Sequence, residues 1–195
     1  MLALMFAWTL AHTVDRANCY IHAKYQTKRF LTARRSFPTR AEWKRLLVVG
    51  ESLKASHVAT VYSHGLREFL NAGDRAPLEQ LLEAVIRSTR IVRSDTREKL
   101  RRGLASAAAI SKTAPLIGLF ATCIGILDSF RGYDGNKHGY IAFIAKNLAE
   151  ALVPTTAGLL VGVAATWTFN WQSERVAALD VEMEIASLEL VSFLH

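Results

Sequence analysis

The chain has 195 residues, 51% of them hydrophobic, with 24 Lys and Arg against 17 Asp and Glu and a formal net charge of +7. This length can bury a core without disulfide bonds, and neither the two cysteines nor the six scattered histidines show the spacing of a metal or redox site, so we expect no metal and no cofactor. The sequence contains no nucleophile and base arrangement, no phosphate-binding loop and no nucleic-acid recognition motif, which argues against an enzyme and against a nucleic-acid-binding protein.

The first 14 residues, MLALMFAWTLAHTV, form an apolar run that ends at Asp15 and Arg16. As a helix they span about 21 Å, which is less than the ~30 Å thickness of the hydrocarbon core of a bilayer. A cleaved signal peptide is not expected, because no basic residue precedes the run and no small-residue cleavage site clearly ends it. Two interpretations remain. Residues 1–14 are either a transmembrane helix whose upstream half is missing from this chain, which we favour, or a short interfacial anchor.

Residues 15–103 form a basic region whose apolar residues recur at helical rather than alternating spacing. Of the 24 Lys and Arg, 20 lie between Arg16 and Lys112. By the positive-inside rule this region is cytoplasmic, which places the amino terminus in the periplasm and the carboxyl terminus in the cytoplasm. From Leu78 onward the helical pattern is interrupted only by Gly103 before it enters the next apolar segment.

Two later segments are long and apolar enough for membrane helices. Residues 104–127 contain a single charge, Lys112, and residues 147–171 contain only Glu150, so we predict that they are the second and third transmembrane helices. The glycine-containing segment 128–146 between them predicts a short periplasmic loop and the start of the third helix.

The last segment, residues 172–195, predicts an acidic cytoplasmic helix. It carries five acids and one arginine, and Ala178, Val181, Ile185 and Leu188 fall on one helical face. An acidic tail in the same compartment as a basic helix suggests that the two pack together. The alternative is that these charges form a solvated face.

In the second membrane segment, small or hydroxylic residues recur every three or four positions and therefore share one face of a helix. One interpretation of this stripe is close helix packing, for which such faces are enriched in membranes. The other is a polar track beside a water or ion path. The stripe consists of Ser111, Pro115, Gly118, Thr122, Gly125 and Ser129.

Glu150 is the most informative residue of the third segment. An acidic side chain at the centre of a membrane helix costs about 2.5–3.5 kcal/mol on insertion scales, so such residues usually face the protein interior or a cavity and mark a pathway. Pro154 has no amide hydrogen, and the carbonyl that it leaves free belongs to Glu150 itself. The hydroxyls of Thr155 and Thr156 could return a hydrogen bond to such a freed group.

Lys146 lies one turn before Glu150, and its positive charge would oppose the effect of the membrane on the protonation of that carboxyl. A low dielectric favours the protonated carboxyl, which could take up and release protons, whereas a neighbouring ammonium group favours the charged form. A structural ion pair between Lys146 and Glu150 is therefore an alternative to a proton-exchanging acid. Lys146 avoids this pairing if it extends to the outer interface.

The segments TAPLIGLFATCIGILDSF (113–130) and LAEALVPTTAGLLVGV (148–163) resemble the second-helix and third-helix signatures of the MotA/TolQ/ExbB proton channel family, most closely its TolQ and ExbB branch. A weaker similarity over residues 7–31 matches the end of the first helix of that family and the basic stretch after it. The resemblance implies that Glu150, Thr155 and Thr122 correspond to pore-facing residues of the family. The chain departs from the family pattern at Pro154, Ala121 and Lys146.

The resemblance implies an all-α integral membrane protein with three transmembrane helices, the first short or truncated, and long cytoplasmic helical extensions. It further implies a homo-oligomer, a pentamer in the best-known cases, in the bacterial inner membrane. The copies would surround an ExbD/TolR-like partner that has one transmembrane helix with an essential aspartate. Protons crossing that interface would drive mechanical work on the cell envelope. The alternative is a non-conducting scaffold in which Glu150 only pins the helix of the partner.

Overall fold

All regular secondary structure in the described part of the chain is helical, as the sequence predicts. The computed structural model describes residues 2–36, 42–72, 77–131 and 140–194. The helices are α1 (Leu2–Ser36), α2 (Trp43–Ser52), α3 (His57–Ala72), α4 (Leu78–Arg101), α5 (Leu104–Arg131) and α6 (Tyr140–Leu194).

The helix bounds differ from the predicted segments at several points. Helix α1 continues past residue 14, since no glycine or proline follows the apolar run before Pro38. Helix α6 begins at Tyr140 and contains Pro154 without ending there. Of the predicted loop 128–146, the first four residues belong to α5 and the last seven to α6, and residues 132–139 lie outside the described residues.

Helices α4 and α5 are separated at the point where the sequence predicts an interruption. The last turn of α4 contains Lys99 and Arg101, whose positive charges favour the carboxyl end of a helix. Arg102 leaves the helical conformation and Gly103 has a φ of +92°, a backbone geometry that glycine adopts without the steric cost of a side chain. Helix α5 then begins at Leu104.

The chain divides into two compact units, which we call unit 1 and unit 2. Unit 1 consists of residues 1–14 and 103–172, and unit 2 consists of residues 15–102 and 173–195. Helices α1 and α6 each contribute residues to both units.

Unit 1 contains most of the apolar helix surface. Two helical stretches of the described chain, Leu78–Arg131 and Ile141–Leu194, include segments long and apolar enough to cross a membrane. Large apolar side chains of α5 and α6, including Phe120 and Trp167, are exposed in the isolated chain. The presence of two long apolar helices is thus confirmed. The membrane-spanning nature of residues 1–14, 104–127 and 147–171 stays a prediction.

Unit 2 has a conventional hydrophobic core. Its largest members include Phe30 of α1, Trp43 of α2, Tyr62 of α3, Val85 of α4 and Leu190 of α6, so every helix of the unit contributes. The Phe30 and Tyr62 rings pack edge to face with their centroids 5.4 Å apart. Burying each such side chain stabilises the unit by about 1.5–3 kcal/mol.

The predicted packing of the acidic tail against a basic helix is confirmed within unit 2. The guanidinium of Arg93 on α4 donates two hydrogen bonds to the carboxylate of Asp180, at 2.8 and 2.9 Å, and a third to Glu184 at 3.2 Å. Arg34 of α1 pairs with Glu189. The apolar face identified from the sequence, Ala178, Val181, Ile185 and Leu188, is exposed, and the tail buries a different face. The buried face is formed by Val176, Leu179, Met183, Ala186 and Leu190.

Candidate functional site

The hydroxyls of Thr122 on α5 and Thr155 on α6 are hydrogen-bonded to each other in unit 1. The Thr122 hydroxyl also lies 2.8 Å from the carbonyl oxygen of Ala151, and the Thr155 hydroxyl lies 3.1 Å from that of Gly118. Each side chain therefore reaches the backbone of the opposite helix. Thr122 is buried and Thr155 is half-buried. Two of the three predicted pathway residues are thus brought together by one interhelical contact.

Glycines on both helices permit this contact, because the two backbones approach closely beside it. A methyl group added at Gly118 would lie 2.8 Å from the carbonyl oxygen of Pro154, and one added at Gly158 would lie 2.6 Å from that of Ala114. Both distances are shorter than ordinary van der Waals contact. The small residues at these positions allow the hydroxyls of Thr122 and Thr155 to span the interface.

The rest of the stripe lies in the same interface. A methyl group added at Gly125 would lie 2.7 Å from the Cβ of Ala151, and one added at Gly162 would lie 2.8 Å from the Cγ of Pro115. Ser129 is buried, and its hydroxyl donates to the carbonyl of Gly125 in its own helix at 2.7 Å. The structure therefore places the stripe in the contact between α5 and α6.

Glu150 immediately precedes Ala151 of this interface, but its own side chain takes no part in the contacts described there. Its side chain is exposed, whereas Ala151 is buried against α5. Lys146 is also exposed, and among the described residues no ion pair or hydrogen bond joins Lys146 to Glu150. In this single copy the carboxyl of Glu150 lies on an open surface of α6.

The hydroxyls next to Pro154 do not bond to the freed carbonyl of Glu150. Thr155 donates across the interface to Gly118, and Thr156 donates to the carbonyl of Leu152 at 3.3 Å. The expectation that these hydroxyls serve the proline-freed carbonyl is therefore not met, since the threonine at 155 points toward α5 and the one at 156 bonds within its own turn.

The sequence reading missed a second group of polar residues in unit 1, where α1 contacts α6. The hydroxyls of Thr13 and Thr168 are 3.0 Å apart, and the Gln172 amide nitrogen lies 3.4 Å from Nδ1 of His12. Gln172 is fully buried. Two features of the sequence could have indicated this group. Thr168 lies 18 residues, or five helical turns, after Glu150 and therefore on the same helical face, and Gln172 is the first polar residue after the apolar segment 147–171.

The sequence also did not indicate a buried histidine in unit 2. The imidazole Nε2 of His57 lies 2.8 Å from a carboxylate oxygen of Glu182, and burial lowers the pKa of His57. Nδ1 of the same ring is buried and hydrogen-bonds to no group in the part of the chain that the structure describes. His57 links α3 to the tail and is remote in sequence from the predicted membrane segments.

Comparison with known proteins connects this geometry to a family. Residues 55–185 match the model of the MotA/TolQ/ExbB proton channel family. The Tol-Pal system protein TolQ of Pseudomonas aeruginosa is 31% identical over 142 residues, which cover 72% of this chain and 62% of that protein. The TolQ protein of Haemophilus influenzae is 27% identical over 137 residues, 69% of this chain and 60% of its own.

A third relative is an ExbB protein rather than a TolQ protein. The biopolymer transport protein ExbB of Pseudomonas putida is 29% identical over 133 residues, 68% of this chain and 40% of that protein. This chain therefore spans less than two thirds of the length of each of these relatives.

Proposed function

The chain belongs to the MotA/TolQ/ExbB proton channel family, and on this premise we propose that it is a subunit of a proton-driven motor in the bacterial inner membrane. Several copies, a pentamer by analogy with the family, surround an ExbD/TolR-like partner with a single transmembrane helix. Proton flow through the assembly drives work on the cell envelope. The similarity to TolQ and ExbB proteins supports this class of function rather than an enzymatic one.

The observation that carries the proposal is the position of Glu150. It is an acid in an apolar helical segment, it is exposed in the single copy, and it lies on the surface of α6 that α5 leaves uncovered. A charged side chain facing lipid is costly, so this surface needs a protein partner or water. We propose that the helix of the partner covers it and that its aspartate exchanges protons with Glu150.

The threonines have a supporting role in this mechanism. Thr155 is half-buried in the contact between α5 and α6, five residues after Glu150, and is proposed to extend a polar track, while Thr122 holds Thr155 in place through the hydroxyl contact. Pro154, Pro115, Gly118 and Gly125 set the geometry of the helix pair. Lys146, one turn before Glu150 and exposed like it, is a candidate modulator of that acid.

We propose three membrane-spanning segments, with residues 1–14 as part of the first, residues 104–127 as the second and residues 147–171 as the third. The amino terminus is periplasmic and the carboxyl terminus cytoplasmic. The excess of Lys and Arg between Arg16 and Lys112 supports this orientation.

The test uses the complete complex of this chain and its partner in liposomes, with proton uptake followed by an internal pH-sensitive dye. Glu150→Gln and Glu150→Ala are expected to abolish driven proton uptake while the complex keeps its native mass. The matched control is Glu174→Gln, an exposed acid of the same helix outside the apolar segment, which is expected to leave uptake unchanged.

Two results would contradict this function. Full uptake in both Glu150 variants would show that the acid is not essential. A wild-type complex that assembles correctly but conducts no protons under a membrane potential would favour the alternative, a scaffold in which Glu150 only pins the helix of the partner by hydrogen bonds.

A further inference from the structure

The tail of α6 in unit 2 has two apolar faces, and only one of them is used within the chain. Met183, Ala186 and Leu190 are buried in the core of the unit. On the opposite side of the helix, Val181, Ile185 and Leu188 are 53%, 51% and 65% exposed. We call these three residues the outer α6 face. A helix that is apolar on both sides is normally covered on both sides.

The outer α6 face lies among acids. The tail carries five acids and one arginine. Glu182, Glu184 and Glu189 each have a partner within unit 2, but their side chains remain 46%, 52% and 46% exposed. The surface around the outer face is therefore negative, and its natural complement is an apolar strip with basic neighbours.

Helix α1 of the same unit presents such a strip. Ile21 and Tyr25 are 67% and 63% exposed and lie one turn apart, and we call them the outer α1 face. Lys24 and Lys28 flank them and are exposed. The opposite side of α1 is occupied, since Ala23 and Phe30 are buried. The two outer faces are thus complementary in charge and similar in apolar character.

The two faces also overlap in position along their helices within unit 2. Arg34 of α1 pairs with Glu189 of α6 and provides a common reference for the two helices of this unit. Tyr25 lies nine residues before Arg34, and Val181 lies eight residues before Glu189. At 1.5 Å per residue these two positions are almost equally far from the ion pair. Copies related by rotation about a common axis would bring them together at the same level.

We propose that the outer α6 face of one copy docks on the outer α1 face of the neighbouring copy. The inference rests on the proposed homo-oligomer and names the surfaces that join its subunits outside the apolar segments. Because the two surfaces differ, the contact is head-to-tail and repeats around a closed ring. Pairing of two outer α6 faces is disfavoured, since it would bring their acids together.

The experiment is disulfide trapping between differently tagged chains that are expressed together with the partner protein. Both native cysteines are first replaced by serine, since Cys19 and Cys123 are exposed. One tagged chain then carries Tyr25→Cys and the other Val181→Cys. A second, independent pair is Lys28→Cys with Ile185→Cys. Disulfides form only where the two Cα atoms lie about 4.4–6.8 Å apart.

The expected result is a mixed-tag dimer in both pairs after mild oxidation, and no dimer when only one of the two cysteines is present. The matched control combines Ile185→Cys with Val48→Cys, a residue of α2 that is 66% exposed and belongs to neither face. This control is expected to remain monomeric on a denaturing gel.

The possible failures are distinguishable. A dimer from Ile185→Cys alone would overturn the proposal in favour of contact between two α6 faces. If neither pair forms a disulfide while native mass still shows the oligomer, the proposed docking surfaces are wrong. That result would not contradict the proposed function. A complex whose native mass contains a single copy of this chain would overturn the docking and the proposed oligomer together.

Discussion

Thr122 and Thr155 hydrogen-bond to each other between α5 and α6, and each hydroxyl also lies within hydrogen-bonding distance of a carbonyl of the opposite helix. Each hydroxyl can donate only one proton. If one threonine donates to the other, the second remains free to donate to a backbone carbonyl, so the hydrogen bonds of the two side chains depend on each other. This arrangement makes the pair a cooperative link between the two helices.

We expect the two hydroxyls to be energetically coupled. Thr122→Val and Thr155→Val should each weaken the association of α5 with α6, and the double variant should cost less than the sum of the two. Interhelical hydrogen bonds in membrane proteins contribute about 0.6 kcal/mol on average and up to about 1.7 kcal/mol, so we expect a coupling energy in this range. Reversible unfolding in mixed micelles measures it.

The control for this comparison of single and double variants is Thr113→Val. Thr113 is exposed, and its hydroxyl donates within α5 to the carbonyl of Ala109 at 2.9 Å. It should show no coupling to Thr155→Val. Strictly additive effects of the Thr122 and Thr155 variants would contradict a cooperative link.

Gly158→Ala should separate the two helices. The added methyl group would lie 2.6 Å from the carbonyl oxygen of Ala114, and that atom belongs to the backbone and cannot rotate away. Overpacking of this kind typically costs about 1–3 kcal/mol. The comparison is Leu160→Ala, an exposed residue two positions later that should change unfolding by less than about 0.5 kcal/mol. Equal stability of the two variants would argue against the close approach.

Asp180→Ala should destabilise unit 2 by about 1–3 kcal/mol, because it removes a bidentate partner of Arg93 and leaves that guanidinium with fewer acceptors. Asp95→Ala is the matched control. Asp95 pairs with Lys99 at 2.6 Å on the exposed surface of α4, and such a pair contributes about 0.3–0.5 kcal/mol. Hydrogen exchange of the α4 amides would report the difference, and similar exchange in both variants would contradict the assigned role of Asp180.

The stability of unit 2 should fall on the acid side because of His57. Burial is the main cause that lowers the pKa of His57, and the hydrogen bond to Glu182 opposes it only in part. As the pH drops below the ordinary histidine pKa of 6.5, the unfolded chain takes up a proton before the folded chain does. The free energy of unfolding of unit 2 therefore decreases as the pH falls from about 6.5 to the pKa of His57 in the folded protein.

His57→Gln should remove this contribution and flatten the unfolding free energy between about pH 7 and pH 5. The control is His64→Gln, an exposed histidine of the same helix, which should leave the acid-side loss in place. An identical pH profile for wild type and His57→Gln would refute the assignment.

The sequence predicted the helical class, the two long apolar segments and the interruption at Gly103 because each depends on local composition. It also predicted that the acidic tail packs against a basic helix, since charge is readable along the chain. It identified one apolar face of the tail but not the buried one, because Met183 and Leu190 form an equally good helical stripe on the opposite side. Periodicity alone cannot decide which of two such stripes faces the core.

The contacts of the site depended on long-range geometry that no local pattern contains. Thr122 and Thr155 were both identified, but their direct hydrogen bond requires the backbone approach at Gly118. Likewise, His57 meets Glu182 across 125 positions of sequence, and no spacing rule joins them. Whether Glu150 faces α5 or an open surface is decided by the rotation of α6, which the packing of Ala151 against α5 sets.

The close approach at Gly118 and Gly158 has a consequence for permeation. Where the backbones leave no space for a methyl group, they leave none for a water molecule of about 1.4 Å radius. The helix pair is therefore watertight at this level, and no file of water can run between α5 and α6. Any aqueous route past Glu150 would follow the outside of the pair, so one copy would supply only one wall of the proposed proton path.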